Sequence, residues 1–187
     1  MTHSNTGAAP LLLENLSLFN SPAQCWDILD LACGNGRNGL VLSNLGHAVI
    51  FADRDGEKLA ALEQDRRFDP SLNKCWLIDL ELPACDPLAG RRYDAVLVFN
   101  YLHRPLMPAI KAAVKPGGLL IYETFTEANK AFGRPNNPDF LLKPGELKSL
   151  CAGWEILQSF EGLLEEPARA VANVIARKPL SSDDTEQ

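Results

Sequence analysis

Three carboxylates and a glycine-rich turn stand where a ligand could be held. Asp30 precedes the stretch Ala32-Cys33-Gly34-Asn35-Gly36-Arg37-Asn38, and the spacing Gly34-x-Gly36-x-x-Gly39 runs through it. Glycine lets the backbone turn tightly and come close to a ligand, because no Cβ intervenes. A helix that follows such a turn points its free N–H groups at the same place. The spacing is that of a dinucleotide-binding turn, and by itself it is weak. Asp53, followed by Arg54, could accept hydrogen bonds from two ribose hydroxyls, or it could cap the helix after Gly56. Asp79 could accept from an adenine amino group with Leu80 packing on the ring, or it could be an ordinary turn aspartate.

Asp30 discriminates between ligands. A pyrophosphate would be repelled by a carboxylate just ahead of the turn, whereas an ammonium group would be attracted. S-adenosylmethionine has an amino-acid end, a sulfonium centre and no phosphate. The loop residues Asp30, Ala32, Cys33, Gly34, Gly36, Arg37 and Asn38 therefore suit it, and suit NAD poorly.

A second group of chemical residues is Asn100-Tyr101-Leu102-His103-Arg104-Pro105. Asn100 could touch the cofactor and Tyr101 could wall a pocket. His103 is the histidine placed to act as a base near neutral pH, and Arg104 could hold an anionic acceptor. The structural alternatives are that His103 caps the helix opened by Pro105 and that Arg104 pairs with an acid.

The elements that must position these residues alternate along the chain. Compact apolar runs predict strands at Trp26–Leu31, Ala48–Ala52, Lys74–Ile78, Tyr93–Phe99, Leu119–Tyr122, Trp154–Phe160 and Ala168–Ala176. Helical spacing covers Pro10–Phe19, Arg37–Leu45, Gly56–Arg67, Pro105–Val114 and Pro144–Cys151. Lys115-Pro116-Gly117-Gly118 reads as a sharp turn, and Thr124 to Lys143 as a long functional loop. Alternation of this kind predicts an α/β, Rossmann-like doubly wound, mostly parallel seven-stranded sheet with helices on both faces. The last two strands have no helix between them and should form an antiparallel edge hairpin. In such a sheet the ligand lies at the carboxyl ends of the strands, where Asp30, Asp53, Asp79, Asn100 and Glu123 fall.

Taken together, these segments resemble the class I S-adenosylmethionine-dependent methyltransferases. The resemblance rests on Ile28 to Gly36, Asp53, Asp79, the strand Tyr93 to Val98 and the turn Lys115 to Gly118. It is nearest to the tellurite-resistance methyltransferase group, through Gly34-Asn35-Gly36-Arg37-Asn38, Leu142-Lys143-Pro144-Gly145-Glu146-Leu147, Gly153-Trp154-Glu155 and Ala176-Arg177-Lys178. It implies S-adenosyl-L-methionine as cofactor and in-line methyl transfer to a small-molecule acceptor. Ala32 departs from the glycine usual in the family. That group also carries a His-Arg pair in the loop before its last strand. Here the loop is Gly162 to Ala168, with Glu165 and Glu166, and only Arg169 is basic.

The bulk properties agree with this reading. The chain has 187 residues, 46% of them hydrophobic, and a net charge of −6, which argues against gripping nucleic acid. Residues 1–24 are expected to be a leading segment with a short helix, 25–179 one domain and 180–187 a disordered tail. The five cysteines form no C-x-x-C pair, so free thiols are expected, most of them buried, and no metal site. No apolar run is long enough for a membrane helix, and a cytoplasmic monomer or homodimer is expected. The competing readings are an NAD(P)-dependent oxidoreductase and a non-catalytic S-adenosylmethionine-binding module that serves a partner.

Overall fold

The computed structural model describes residues 7–20, 25–82 and 86–181. Its seven strands form one mixed sheet in the order β3-β2-β1-β4-β5-β7-β6. They are β1 (Asp27–Leu31), β2 (Ala48–Asp53), β3 (Lys74–Leu77), β4 (Tyr93–Phe99), β5 (Val114–Phe125), β6 (Glu155–Glu165) and β7 (Ala168–Arg177). All seven expected strands exist, β4 with the expected bounds, and the fold is Rossmann-like α/β. The chain divides into two compact units, one ending at Asp79 and one starting at Leu80.

In the first unit β1 pairs in parallel with β2, and β2 with β3. Ile28, Leu29, Val49, Phe51 and Ala52 are wholly buried there. The helices are α1 (Pro10–Leu13), α2 (Gly39–Ser43) and α3 (Gly56–Glu63). The expected helix Pro10–Phe19 is split, because Asn15 turns its amide back to the Leu11 carbonyl at 2.8 Å and a 3₁₀ turn, Leu16–Phe19, follows. Ala9, in the leading segment, is buried, and its N–H donates to Asn38 Oδ1 at 2.8 Å. His47 joins this segment to the sheet. Its Nδ1 accepts from Trp26 N–H at 3.2 Å, so Nε2 carries the proton to the Phe19 carbonyl at 3.1 Å. Burial lowers its pKa.

In the second unit β4 pairs in parallel with β5, while β7 runs antiparallel to both β5 and β6. The helices are α4 (Met107–Ala113) and α5 (Glu146–Leu150). The expected turn at Lys115 to Gly118 is instead part of β5, with a register shift opposite Tyr93/Ala95. Lys178 draws it in: Gly117 N–H donates to the Lys178 carbonyl and Lys178 N–H to the Gly118 carbonyl, both at 2.9 Å. The expected loop Gly162 to Ala168 shrinks to Glu166-Pro167, since Gly162 to Glu165 extend β6.

Beyond β5 the segment to Lys143 is bridged and pinned. Thr126 pairs with Leu142, and Asn129 Oδ1 accepts from Ala170 N–H at 3.0 Å. Most of the thiols were expected to be buried; among the described residues Cys151 is buried, Cys33 and Cys75 are half-buried, and Cys25 is exposed. Cys85 and residues 182–187 of the expected tail lie outside the described residues. Among the described residues no helix is long and apolar enough to cross a membrane.

Candidate functional site

The glycine-rich turn leaves β1 through residues held at positive φ: Ala32 at 54°, Gly34 at 58° and Gly36 at 70°. Its three glycines do different work. A Cβ on Gly34 would meet nothing within 4 Å, so that face is open to a ligand. A Cβ on Gly36 would lie 2.7 Å from Leu62 Cδ1, and one on Gly39 would lie 2.5 Å from Phe51 Cε1. Gly39 lets α2 pack closely on β2, and Gly36 lets the turn pass against Leu62 of α3. Cys33 N–H donates to the Ala52 carbonyl at 3.0 Å, and burial pushes its thiol pKa up.

Asp53 holds the turn from the end of β2. Its Oδ2 accepts from Gly34 N–H at 2.7 Å and its Oδ1 from Asp55 N–H at 2.9 Å. The cap of α3 is Asp55, which accepts from Lys58 N–H, so the capping alternative for Asp53 does not hold. Arg54 is exposed, Asp79 is half-buried beyond the end of β3, and Leu80 is buried.

Asp30 is turned to the start of α2. The residue is 2% exposed, and its carboxylate accepts from Gly39 N–H at 2.9 Å. Asn38 precedes α2 without a side-chain cap, so Asp30 satisfies an orphan N–H at that helix start. Burial, against that hydrogen bond and the nearby Arg37, raises its pKa to about 7. Arg37 and Asn38 are likewise engaged by the leading segment: Arg37 Nη1 donates to the Gly7 carbonyl at 2.9 Å, and Asn38 accepts from Ala9.

In the second unit, β4 is followed by Asn100, which has φ +56° and donates its N–H to the Glu123 carbonyl at 2.9 Å. The Tyr101 carbonyl accepts the Tyr122 hydroxyl at 2.8 Å, and burial pushes the Tyr122 phenol pKa up. His103 is half-buried, and its imidazole makes no capping hydrogen bond.

Arg104 departs from the reading as an anion holder. It forms a bidentate pair with Glu146, at 2.6 and 2.8 Å, and donates to the carbonyls of Asp139 at 3.0 Å and Leu141 at 2.8 Å. It clamps the segment after β5 to the start of α5. Arg104→Lys should lower stability by about 1–2 kcal/mol in urea denaturation, because an ammonium cannot serve a planar fork and two carbonyls together. An unchanged midpoint would show the clamp to be idle.

Sequence reasoning missed the partner of Glu123. Asn173 lies directly opposite it on β7 and donates to its Oε2 at 3.2 Å. The signal was a lone asparagine within the apolar run of the last strand.

One family model spans the turn, the acids at the strand ends and the strands from β1 into β7. Residues 19–172 match the family described as Tellurite resistance protein TehB. The chain belongs to the TehB family. Its similarity to the "Probable S-adenosyl-L-methionine-dependent methyltransferase TehB" of Haemophilus influenzae is 29% identity over 146 residues, 74% of this chain and 49% of that protein. Mouse glycine N-methyltransferase is 33% identical over 119 residues, 53% of this chain and 40% of that protein. The chain thus spans about half the length, or less, of these curated relatives. The crystal structure of TehB from Haemophilus influenzae superposes with a TM-score of 0.69, covering 89% of this chain and 61% of that chain, at 23% identity, which shows the shared fold.

In this TehB-family chain Ala32 holds a left-handed backbone conformation that an L side chain resists. Ala32→Gly should therefore stabilise by roughly 1 kcal/mol, seen as a higher melting temperature. A lower one would show that the strain is absent or offset by the methyl group's packing.

Proposed function

We propose that this chain is an S-adenosylmethionine-dependent methyltransferase acting on a small-molecule acceptor. The observation that carries the reading is the strand order. A dinucleotide-binding sheet closes 3-2-1-4-5-6 with all strands parallel, whereas here antiparallel β7 lies between β5 and β6. That departs from the oxidoreductase alternative and agrees with the family match. The related proteins named as methyltransferases support the same activity.

The residues present fit the cofactor. Gly34 offers an open backbone face, with Asp53 bonded to its N–H. In this reading Gly34, Gly36 and Cys33 shape the cradle and Asp53 takes the ribose hydroxyls. Asp79 and Leu80 serve the adenine. Ala32, Arg37, Asn38 and Arg54 support the loop or border it, and Asp30 adds negative charge close to the turn. The bound cofactor supplies a methyl group already activated on a sulfonium. What remains for the protein is to align the acceptor and exclude water, and alignment alone can supply about 7–11 kcal/mol. Asn100 is proposed to touch the cofactor, and Tyr101 and His103 to border the acceptor, with His103 taking a proton if the acceptor arrives protonated.

Calorimetric titration of the purified protein with S-adenosylhomocysteine and with NAD tests the reading. Saturable binding of the first and none of the second is expected. The reverse pattern would assign the chain to the oxidoreductases.

A further inference from the structure

Four groups on β5 and β7 form a cluster that the fold does not satisfy internally. Glu123 and Asn173 are direct cross-strand partners, so their side chains leave the sheet on the same face. Arg169, four residues before Asn173 on the same strand, shares that face. Val171 lies between them and supplies an apolar wall. The three polar groups are well buried: Asn173 is 8% exposed as a residue, and the side chains of Glu123 and Arg169 are 7% and 17% exposed.

Their mutual bonding is incomplete. Asn173 Nδ2 donates to Glu123 Oε2 at 3.2 Å, which fixes the amide with its nitrogen toward the carboxylate. The amide oxygen is then left buried without a hydrogen-bond partner. Arg169 Nη2 stands 4.0 Å from Glu123 Oε1, too far for a hydrogen bond. A buried amide oxygen without a donor is costly, about 1–3 kcal/mol, and such a group in a native fold calls for an explanation, a role in the chemistry among them. The cluster lies at the carboxyl end of β5, the end at which sheets of this class take their ligands.

We propose that Glu123 and Asn173 receive the methyl acceptor, and that this acceptor is a small amine. The inference rests on the methyltransferase reading above. A neutral primary amine has two N–H donors, which match the two acceptor atoms, Glu123 Oε1 and Asn173 Oδ1. With both hydrogens held there, the nitrogen lone pair points away from the pair. In transfer the lone pair forms the N–C bond as the C–S bond of the sulfonium breaks, and the bonding electrons leave with sulfur. Positive charge passes from sulfur to nitrogen, and the surplus proton on nitrogen goes to water. The Glu123 carboxylate stabilises the charge arriving on nitrogen, the form of catalysis that gains most from a buried site. A hydroxyl or thiol brings one hydrogen and would leave one acceptor atom unmatched, which sites of this kind reject.

The test supplies the purified protein with S-adenosylmethionine and methylamine, glycine or ethanolamine. Each is set against a matched oxygen or sulfur compound: methanol and methanethiol, glycolate, or ethylene glycol. Release of S-adenosylhomocysteine and the methylated product are followed by mass spectrometry. At least one amine should turn over well above its matched compound. Glu123→Gln should then lower kcat/KM for that amine about 100-fold, the scale of losing one charge-stabilising group. Asn173→Ala should narrow the preference for the amine over its hydroxyl counterpart. Affinity for S-adenosylhomocysteine should be unchanged in both variants. Turnover of none of the amines, equal rates with the oxygen or sulfur compounds, or a silent Glu123→Gln overturns the proposal while leaving the methyltransferase reading intact. Failure of the unaltered protein to bind S-adenosylhomocysteine instead removes that underlying reading.

Discussion

Gly39→Ala is expected to lower the free energy of unfolding by about 3 kcal/mol, the upper part of the range for forced overpacking. The added methyl would lie 2.5 Å from Phe51 Cε1, 2.8 Å from Asp30 Oδ2 and 3.0 Å from Val49 Cγ1. None of these neighbours is the free end of a flexible chain. Phe51 and Val49 are buried on β2, and Asp30 is held by the N–H of Gly39 itself. Relief would require α2 to move off the sheet, loosening the turn that precedes it. Urea denaturation measures the loss.

Gly34→Ala is the control. Its methyl meets no atom, so stability should fall only by the backbone penalty at φ +58°, about 1 kcal/mol. The same methyl stands on the open face of the turn, so S-adenosylhomocysteine binding should be lost in a protein that remains folded. If Gly39→Ala proves as mild as Gly34→Ala, the close approach of α2 to β2 is not what the third glycine serves.

Asp30→Asn should change how stability depends on pH. The pKa of Asp30 is raised from 3.8 to about 7, chiefly by burial. Below the unfolded value both states hold the proton, and the folded state carries no penalty. As pH rises from about 4 to 7, the unfolded chain releases the proton while the folded chain keeps it, so stability falls. Above the folded value the loss is complete, and linkage puts it at roughly 4 kcal/mol. Asparagine keeps an oxygen for Gly39 N–H and removes the titration. The difference between the two proteins in unfolding free energy should therefore shift in favour of the variant between pH 4 and 7, and level off above that. A constant difference across this window would show that Asp30 is not buried as a charge.

The same carboxylate makes a second expectation for binding. It attracts a cationic amino-acid end only when ionised, so affinity for S-adenosylhomocysteine should strengthen as pH rises through 7 in the wild type. It should do so less in Asp30→Asn. The observed hydrogen bond of Asp30 to the start of α2 and its proposed role as a source of field separate in this comparison: the amide supplies the first and not the second.

What the sequence by itself determined is the list of elements and the places where chemistry can sit. Apolar runs such as Tyr93 to Phe99 are buried along their length because parallel strands are covered on both faces, and the periodicity is local enough to read. The turn Gly34 to Gly39, the acids at the ends of β1 and β2 and the antiparallel last pair follow from residue type and spacing in the same way.

Tertiary structure decided which partner each polar group takes. Arg104 pairs with Glu146, 42 positions away, and Asn38 with Ala9, 29 positions away. Lys115 to Gly118 became strand because Lys178 bonds to it across 60 or more residues of chain. Glu123 and Asn173, 50 positions apart, meet only through strand register. A charged or polar side chain has many chemically equivalent partners in a sequence. Only packing, which removes water and fixes distance, selects among them.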